Sequence, residues 1–406
     1  MYAEVVVDVP SESAKGLFHY GIPAELEGEI KVGSAVLVPF GRRELTGYVV
    51  GFTETPDVAR VKDIRALRGD TVLSEQMMAL SAWISEYYSC SLGEAIAQMF
   101  PASVRRGRAK VKTESIVELA IPREKAEAMI DVMEKKAPRQ AQALKILLEK
   151  GPKMPRRRLT NAPGSTSGAV RALIQKGILN ETQKEVLRSP IKAISNTRKP
   201  MPVLTREQDK AVTAIVSSLD NVSPAPFLLH GVTASGKTEV YMRVIEAVLA
   251  RGKSAIVLVP EISLTPQMTE GFSERFGQDV AVLHSRLSPG ERYDEWRRVE
   301  RGDARIVVGA RSAIFAPVEN LGLIVVDEEH ENSYKQEESP RYHARDVACE
   351  RARISKAVCV LGSATPSVES YYKALHGEYR LLELPHRVGM WEMPTVEVVD
   401  MREELA

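Results

Sequence analysis

The sequence has no long hydrophobic run. Its most apolar stretches, residues 255–260 and 323–326, fall far below the roughly 20 residues that a membrane-spanning helix requires. The first ten residues carry Glu4 and Asp8 where a secretory signal would have a basic stretch followed by an apolar one. We therefore expect a cytoplasmic protein without a membrane partner.

Cysteine is also scarce. Cys90, Cys349 and Cys359 are too few for a disulfide framework, and none belongs to the closely spaced pairs that a zinc site needs. We interpret all three as reduced, small hydrophobic residues. With 44% hydrophobic and 27% charged residues the composition is that of a globular protein, which excludes wholesale disorder and fibrous repetition. At about 100–200 residues per domain, the length of 406 residues predicts several domains.

A net charge of +1 by itself argues against a polyanionic partner, but the charge is unevenly distributed. Residues 101–200 contain 23 lysines and arginines against 9 aspartates and glutamates, a net charge of +14. The remaining 306 residues therefore sum to about −13. An imbalance of this kind indicates a segment that faces a polyanion.

The first 105 residues predict a small β-domain. Strand-like runs at 3–9, 35–38 and 47–52 are separated by glycine and proline turn signals. Residues 73–99 then predict one amphipathic helix, whose aromatic residues we interpret as core. Its inward positions would be Met77, Leu80, Trp83, Ile84, Tyr87 and Tyr88.

Residues 106–191 predict a winged helix, a variant of the helix-turn-helix. Pro138–Lys150 reads as a helix with three leucines inward, and a second helix follows the Pro163-Gly164 turn, with Ser165 as a possible cap. A strand would begin at Ile178. A plain helical linker domain with a solvated basic face remains an alternative. Residues 192–203, which contain Pro200 and Pro202, predict an interdomain linker.

The pattern changes in the segment 204–385. Short runs rich in β-branched residues alternate with helical stretches, which is typical of a parallel sheet covered on both faces. The runs lie at 227–229, 255–259, 304–308, 323–326 and 358–361.

A phosphate-binding loop follows the first of these runs and opens a helix. Its glycines let the backbone wrap a phosphate so that successive N–H groups and the helix N-terminus point at the anion. Lys237 would contact the β and γ phosphates of ATP, and the Thr238 hydroxyl could bind Mg²⁺. The loop is Gly231-Val232-Thr233-Ala234-Ser235-Gly236-Lys237-Thr238.

A second polar cluster follows the strand at 323–326. We expect Asp327 to hold the Mg²⁺ shell and Glu328 to orient or deprotonate the attacking water. Such a cluster alone would more often be a surface loop. Because the carboxyl ends of parallel strands are where such folds bind ligands, its pairing with the phosphate loop favours an ATP site. The cluster is Asp327-Glu328-Glu329-His330.

These segments carry a family resemblance. The phosphate loop, 327–330 and Gly362-Ser363-Ala364-Thr365-Pro366 resemble motifs I, II and III of superfamily 2 helicases. The sequence around these motifs resembles that of the PriA family, bacterial helicases that restart stalled replication forks. The similarity spans the chain and is densest at 204–385, notably in 259–267, 283–285, 309–313 and 333–346.

The resemblance implies a RecA-like helicase lobe that uses ATP and Mg²⁺. It implies 3′ to 5′ unwinding of branched or forked DNA, contact with single-stranded DNA, and primosome proteins and single-stranded DNA-binding protein as partners. Gln208 would read the adenine. His330 would be catalytic and, with Ser363 and Thr365, would link nucleotide state to DNA grip.

The resemblance also implies two DNA-binding regions. Segment 334–343 is similar to an aromatic-rich loop that couples single-stranded DNA to ATP hydrolysis; its tyrosines would stack on bases and its cations would bind phosphates. In the N-terminal domain, four residues match a pocket for the 3′ end of a nascent strand. The loop residues are Tyr334, Lys335, Arg341, Tyr342 and His343, with Arg345 just beyond, and the pocket residues are Phe18, His19, Gly41 and Lys62.

Three departures from the family pattern stand out. Ala234 replaces a usual glycine, which we expect to be tolerable only if its φ is negative. His19 replaces a common aspartate. The sequence stops at Ala406 where family members continue into a second helicase lobe and a cysteine-rich double zinc module, so we expect 386–406 to begin that lobe and zinc to bind only beyond it. The chain alone would then bind DNA but hydrolyse little ATP, because one lobe lacks groups that stabilise the transferred phosphoryl group.

Two rival functions remain open. A fork-binding scaffold with an inactive or incomplete motor would recognise branched DNA through residues 1–200 and recruit partners without unwinding. An RNA translocase or restriction-type translocase could share the motor lobe, but the N-terminal resemblance disfavours it.

Overall fold

The computed structural model describes residues 1–7, 16–58, 60–105, 112–188 and 201–389. Most of the predicted linker and of the segment 386–406 lies outside these ranges. The chain divides into two compact units, one formed by Met1–Ala109 with Ser189–Ala406 and the other by Lys110–Arg188. Within the described ranges, no helix is both long enough and apolar enough to cross a membrane.

The N-terminal part of the first unit is a six-stranded sheet in the order β5-β2-β1-β4-β3-β6. In β1 the side chains of Ala3, Val5 and Val7 are buried, as the two-residue period of a strand requires. The three predicted strands are confirmed as β1, β3 and β4, although residues 8–9 lie outside the described ranges. The strands are β1 (Tyr2–Val7), β2 (Phe18–Gly21), β3 (Ser34–Phe40), β4 (Arg43–Thr53), β5 (Lys62–Asp63) and β6 (Ala66–Val72).

The prediction of one helix over 73–99 is wrong, because two helices occupy that segment. They are α1 (Glu75–Tyr87) and α2 (Leu92–Met99), and a short α3 (Ala102–Arg105) follows. The chain turns at Ser89, whose φ of +52° is left-handed. Ser91 and Glu94 then form a capping box that starts α2, so the Ser-x-x-Glu signal outweighed the continuous apolar pattern. Tyr87 at the end of α1 is 60% exposed, contrary to its predicted inward position.

The second unit is a three-stranded antiparallel sheet, in the order β8-β7-β9, packed with four helices. The predicted helix at Pro138–Lys150 is confirmed, and its leucines lie in the core. The second predicted helix is present, but its cap is Thr166 and not Ser165. The elements are β7 (Thr113–Leu119), α4 (Arg123–Lys136), α5 (Pro138–Lys150), β8 (Lys153–Pro155), α6 (Arg156–Thr160), α7 (Ser167–Gln175) and β9 (Leu179–Glu185).

The C-terminal part of the first unit is a seven-stranded parallel sheet, in the order β12-β13-β11-β14-β15-β10-β16. All five predicted strands are confirmed, as β10, β11, β13, β14 and β15. The two missed strands, β12 and β16, are short runs at the sheet edges. The strands are β10 (Phe227–Gly231), β11 (Ser254–Leu258), β12 (Val280–Leu283), β13 (Ile306–Gly309), β14 (Leu321–Asp327), β15 (Val358–Ser363) and β16 (Arg380–Leu384).

Helices cover this parallel sheet, and two of them position the candidate site. The helix α9 starts at the phosphate loop and buries Val240, Val244 and Val248 against the sheet, as its apolar period predicts. The helix α12 follows the aromatic-rich loop and shares a buried apolar cluster with α1 of the N-terminal sheet domain. The helices are α8 (Arg206–Val216), α9 (Lys237–Ala250), α10 (Pro266–Phe276), α11 (Pro289–Glu300), α12 (Ala344–Ser355) and α13 (Val368–Leu375).

The strand order explains where the site forms. The strands β14, β15 and β10 are consecutive neighbours in the sheet. Their carboxyl ends therefore bring together the phosphate loop, the cluster at 327–330 and the segment 362–366.

Candidate nucleotide and DNA sites

Lys237, the first residue of α9, lies at the centre of the candidate nucleotide site. Its side chain is 8% exposed, and its Nζ donates a hydrogen bond to the Gly231 carbonyl oxygen over 3.0 Å. The same Nζ lies 3.8 Å from Oε1 of Glu328. The loop cation and the carboxylate at the end of β14 thus meet in one place, as the sequence predicts.

The phosphate loop has a tightly constrained backbone. Gly236 has a φ of +80°, and a Cβ there would lie 2.3 Å from Nε2 of Gln208. The expectation of a negative φ at Ala234 is wrong, because its φ is +64°. A residue with a Cβ pays about 1–2 kcal/mol for this left-handed conformation. The loop therefore keeps a glycine-like shape although one glycine is replaced.

The loop fits a magnesium nucleotide. The Oγ of Ser235 is buried and has no hydrogen-bond partner in the described part of the chain, as expected of a donor that faces a ligand. Thr238 is exposed, so its hydroxyl is available to a cation. Mg²⁺ commonly takes one or two protein oxygens together with substrate phosphates, and Thr238 and Asp327 provide such oxygens.

Asp327 ends β14 and is held by two tyrosines. Its Oδ1 accepts a hydrogen bond from the Tyr241 hydroxyl over 2.9 Å, and its backbone carbonyl accepts one from the Tyr334 hydroxyl over 2.6 Å. Burial, reinforced by the charge of Glu328, raises the pKa of Asp327 from 3.8 to about 6, while the Tyr241 hydrogen bond and Lys237 oppose the rise. The carboxyl group is thus poised to ionise fully when a cation binds.

Gly362 leaves room for this arrangement. A Cβ at Gly362 would lie 1.7 Å from the Tyr241 hydroxyl oxygen. Only glycine therefore lets β15 pass beside the pair formed by Tyr241 and Asp327.

The predicted coupling residues form one hydrogen-bonded group. Nδ1 of His330 lies 2.8 Å from Oγ of Ser363, and its Nε2 lies 3.4 Å from Oγ1 of Thr365. The Thr365 backbone N–H donates to the same Ser363 hydroxyl over 3.0 Å. His330 Nδ1 also lies 3.8 Å from Oε2 of Glu328. The end of β15 is thus connected to Glu328, just beyond the end of β14.

Glu329 is a structural anchor that the sequence pattern does not predict. Its buried carboxylate accepts hydrogen bonds from the Arg345 guanidinium over 3.0 Å and from the Ser370 hydroxyl over 2.9 Å. The Ser367 backbone N–H and hydroxyl donate to it over 2.7 and 3.0 Å. Glu329 therefore ties the cluster at 327–330 to the starts of α12 and α13. The signal that could have found it is a carboxylate placed between two functional residues on a buried strand end.

Gln208 lies against the phosphate loop. It is buried, its Nε2 donates to the Ser235 carbonyl oxygen over 2.8 Å, and its Oε1 accepts from the Thr205 N–H over 2.9 Å. Both polar atoms of its amide therefore have protein partners. A contact with adenine would replace one of these bonds or use the remaining capacity of the amide.

The aromatic-rich loop differs from expectation. Tyr334 and Tyr342 are only 1% and 2% exposed, so neither offers an open face for a base in this structure. Tyr334 is held by Asp327, and Tyr342 packs edge-on against Phe315 at 5.1 Å between ring centres. Both rings pack in an apolar core. Their polar neighbours in the sequence do not indicate this burial.

The cations of this loop are divided between surface and interior. Lys335 and Arg341 are exposed, and the Lys335 Nζ donates to the Arg341 carbonyl oxygen over 2.7 Å. His343 caps α12 by accepting a hydrogen bond from the Arg345 N–H. Nη1 of Arg345 donates to Glu329 and to Ser367, so the expected phosphate contact of Arg345 would compete with these hydrogen bonds.

Only some residues of the predicted 3′-end pocket lie close together. The Lys62 Nζ lies 3.4 Å from the Gly41 carbonyl oxygen, and both residues are exposed. Phe18 packs edge-on against Phe40 at 5.2 Å between ring centres. His19 follows Phe18 in β2 and so points to the opposite face of the sheet. There its ring lies 3.8 Å from carboxylate oxygens of Glu4 and Asp57.

Two family models match this chain. Residues 4–101 match the model described as PriA 3′DNA-binding domain, and residues 205–374 match the DEAD/DEAH box helicase model. The replication restart protein PriA of Bacillus subtilis is 43% identical over an alignment that covers all of this chain. The protein of the same name from Chlamydia muridarum is 36% identical, again over the whole chain. The chain belongs to the PriA family.

The match to PriA covers only part of the relatives. This chain spans 58% of the Bacillus subtilis protein and 54% of the Chlamydia muridarum protein, and it corresponds to their N-terminal portion. A solved structure of RecG bound to a three-way DNA junction is 26% identical over 47% of this chain and 24% of that chain. Its TM-score of 0.34 is too low to support a functional conclusion.

Proposed function

We propose that this chain is the DNA-end-binding and ATP-binding portion of a 3′ to 5′ DNA helicase that recognises stalled or branched replication forks and starts primosome assembly. The main support is the convergence of Lys237, Asp327 and Glu328 at the ends of neighbouring strands. A match to a 3′ DNA-binding domain on the same chain adds the second element of fork recognition.

The nucleotide step uses residues of two strand ends. The loop 231–236 wraps the phosphates with its N–H groups, and Lys237 moves its Nζ from the Gly231 carbonyl to the β and γ phosphates. When bound, Mg²⁺ supplies charge neutralisation at these phosphates, held by Thr238 and Asp327. Glu328 then orients the attacking water and accepts its proton. Gln208 contacts both the loop and the adenine.

DNA contact would involve several regions. Phe18, Gly41 and Lys62 hold a strand end by stacking, backbone approach and a phosphate contact, while His19 lies on the opposite face of β2 from Phe18. Lys335 and Arg341 supply exposed cations for single-stranded DNA. Stacking by Tyr334 and Tyr342 would require the aromatic-rich loop to open. The group His330, Ser363 and Thr365 relays nucleotide state to these contacts.

The second unit completes the proposal as a winged helix. The strand β7 precedes the helices in the chain yet lies between β8 and β9 in the sheet, so the sheet can act as the wing beside α6 and α7. Arg157, Arg158 and Arg171 are exposed on these helices, as DNA phosphate contacts require. Arg156 is instead paired with Glu181 over 2.7 Å.

A binding measurement tests the 3′-end assignment in the 406-residue chain. We expect a fork with a leading-strand 3′ hydroxyl to bind several-fold more tightly than one with a 3′ phosphate. Lys62→Ala should weaken binding of the 3′-hydroxyl fork several-fold, whereas Lys31→Ala, a change at another exposed lysine of the same sheet domain, should leave this affinity unchanged. Equal affinity of the unmodified chain for both forks would contradict the assignment.

A further inference from the structure

Helix α1 of the N-terminal sheet domain contacts helix α12 of the motor lobe at both of its ends. At the start of α1, Oε1 of Gln76 accepts a hydrogen bond from the Ser355 hydroxyl over 3.2 Å. Just beyond its end, Tyr88 lies against the first turn of α12. At 1.5 Å per residue α1 is about 20 Å long, so these contacts fix its position on α12 along its whole length.

Tyr88 makes three contacts with the aromatic-rich loop and α12. Its hydroxyl oxygen accepts a hydrogen bond from the His343 backbone N–H over 3.0 Å. The hydroxyl donates to Oδ2 of Asp346 over 3.4 Å, and burial raises the pKa of Tyr88, which keeps this donor protonated. The Lys335 Nζ lies 5.5 Å from the centre of the Tyr88 ring, within the range of a cation–π contact.

The position of Tyr88 places it between two sites. Lys335 and His343 pair across the base of the aromatic-rich loop, so Tyr88 contacts both sides of the point where this loop closes. On the other side, β3 leads to Gly41 and pairs with β6, and β6 runs directly into α1. Lys62 precedes β6 in the same chain segment. Both sides of the 3′-end pocket are therefore attached to the base of α1.

We propose that Tyr88 is a positioning residue that transmits occupancy of the 3′-end pocket to the aromatic-rich loop. The inference rests on the proposed 3′-end recognition. A strand end bound at Gly41 and Lys62 shifts or stiffens β3 and β6, and with them α1. Tyr88 then changes its hold on the His343 N–H and on Lys335, which sets how readily the loop opens to single-stranded DNA. Fork recognition would thereby gate the contact that stimulates the motor.

Hydrogen exchange of the 406-residue chain tests this transmission. The probes are a trinucleotide with a free 3′ hydroxyl and the same trinucleotide with a 3′ phosphate. Only the first should occupy the pocket, while any direct binding to the motor lobe should be the same for both. In the unmodified chain we expect the 3′-hydroxyl probe to change the exchange rate of the segment 335–346 at least threefold relative to the 3′-phosphate probe.

Two matched variants identify the residue responsible. Tyr88→Phe keeps the ring but removes both hydrogen bonds, so its difference between probes in 335–346 should fall below 1.5-fold while protection of Phe18–Gly21 by the 3′-hydroxyl probe persists. Tyr87→Phe removes the neighbouring exposed hydroxyl and should behave like the unmodified chain. A full response in Tyr88→Phe would overturn the proposal, as would an unmodified chain with a protected pocket and no loop response. Absence of pocket protection would instead overturn the 3′-end assignment and, with it, the inference.

Discussion

At the level of single residues, Ala234 holds a strained backbone conformation within the phosphate loop. Its φ of +64° suits glycine, and the strain of about 1–2 kcal/mol is partly balanced by the lower entropy of the unfolded chain that alanine provides. We expect Ala234→Gly to increase the free energy of unfolding by about 0.5–1 kcal/mol, measured by chemical denaturation. Ala247→Gly, in the interior of α9, should decrease it by about 1 kcal/mol. A loss of similar size in both variants would contradict the positive φ.

The raised pKa of Asp327 predicts that nucleotide binding depends on pH. Its pKa of about 6 lies above the ordinary value, so the carboxyl group is increasingly protonated below pH 6 and ionised above it. Because Mg²⁺ requires the ionised form, the Mg²⁺-dependent affinity for a fluorescent ATP analogue should fall by up to tenfold per pH unit below about 6.

Tyr241→Phe provides the control for this prediction. The Tyr241 hydrogen bond lowers the pKa of Asp327, so its loss should move the fall in affinity to higher pH. Titration of the nucleotide itself would be the same in both proteins. Identical pH profiles for the two proteins would show that Asp327 is not the group responsible.

At the level of elements, the buried carboxylate of Glu329 holds two helix starts against the end of β14. Glu329→Gln would leave the Arg345 guanidinium with only its longer ion pair to Asp346, at 3.6 Å, and we expect a loss of about 3–5 kcal/mol in the free energy of unfolding. Glu331→Gln, two residues away and partly exposed, should change it by less than about 0.5 kcal/mol. Denaturant titration measures both, and equal effects would refute the anchoring role of Glu329.

The elements that the sequence predicted best are those with one dominant signal. The apolar period of α9 predicts a helix that buries one face, and the β-branched runs of the parallel sheet predict strands that are buried on both faces. The sequence does not predict the break between α1 and α2, because the apolar spacing continues across it. The break is determined instead by the capping box at the start of α2. The sequence predicts exposed faces for Tyr334 and Tyr342, whereas both rings are buried. Their burial depends on packing with α12 and with Phe315, which the residues next to each tyrosine do not reveal.

At the level of the whole molecule, the near-zero net charge conceals a basic segment at 101–200. Each phosphate neutralised by a lysine or arginine releases counterions, so fork binding should weaken as salt rises. Two such contacts predict about a tenfold loss of affinity between roughly 50 and 200 mM salt, and more contacts predict a steeper fall. Fluorescence anisotropy with a labelled fork measures the slope. An affinity independent of salt would mean that this basic segment is only a solvated surface.

The convergence of the candidate nucleotide-site residues follows from the sequence, whereas the contact between the N-terminal sheet domain and the motor lobe does not. Lys237, Asp327 and Glu328 lie at the ends of strands whose order follows from the fold class, so their convergence could be predicted. The contact of Tyr88 with His343 joins residues 255 positions apart and has no local signal. Interfaces of this kind depend on shape and on single hydrogen bonds, which periodicity does not encode.

Fork-stimulated ATP turnover by the complete gene product, compared with its Lys237→Ala variant, tests the central proposal most directly. Fork affinity is measured in the same preparations as the control. We predict that Lys237→Ala lowers turnover at least 100-fold and leaves fork affinity within twofold, because the proposed role of the lysine is to contact phosphates of ATP and none of the DNA. Full turnover by Lys237→Ala would contradict the assigned site, and absence of turnover in the unmodified protein would favour a fork-binding scaffold.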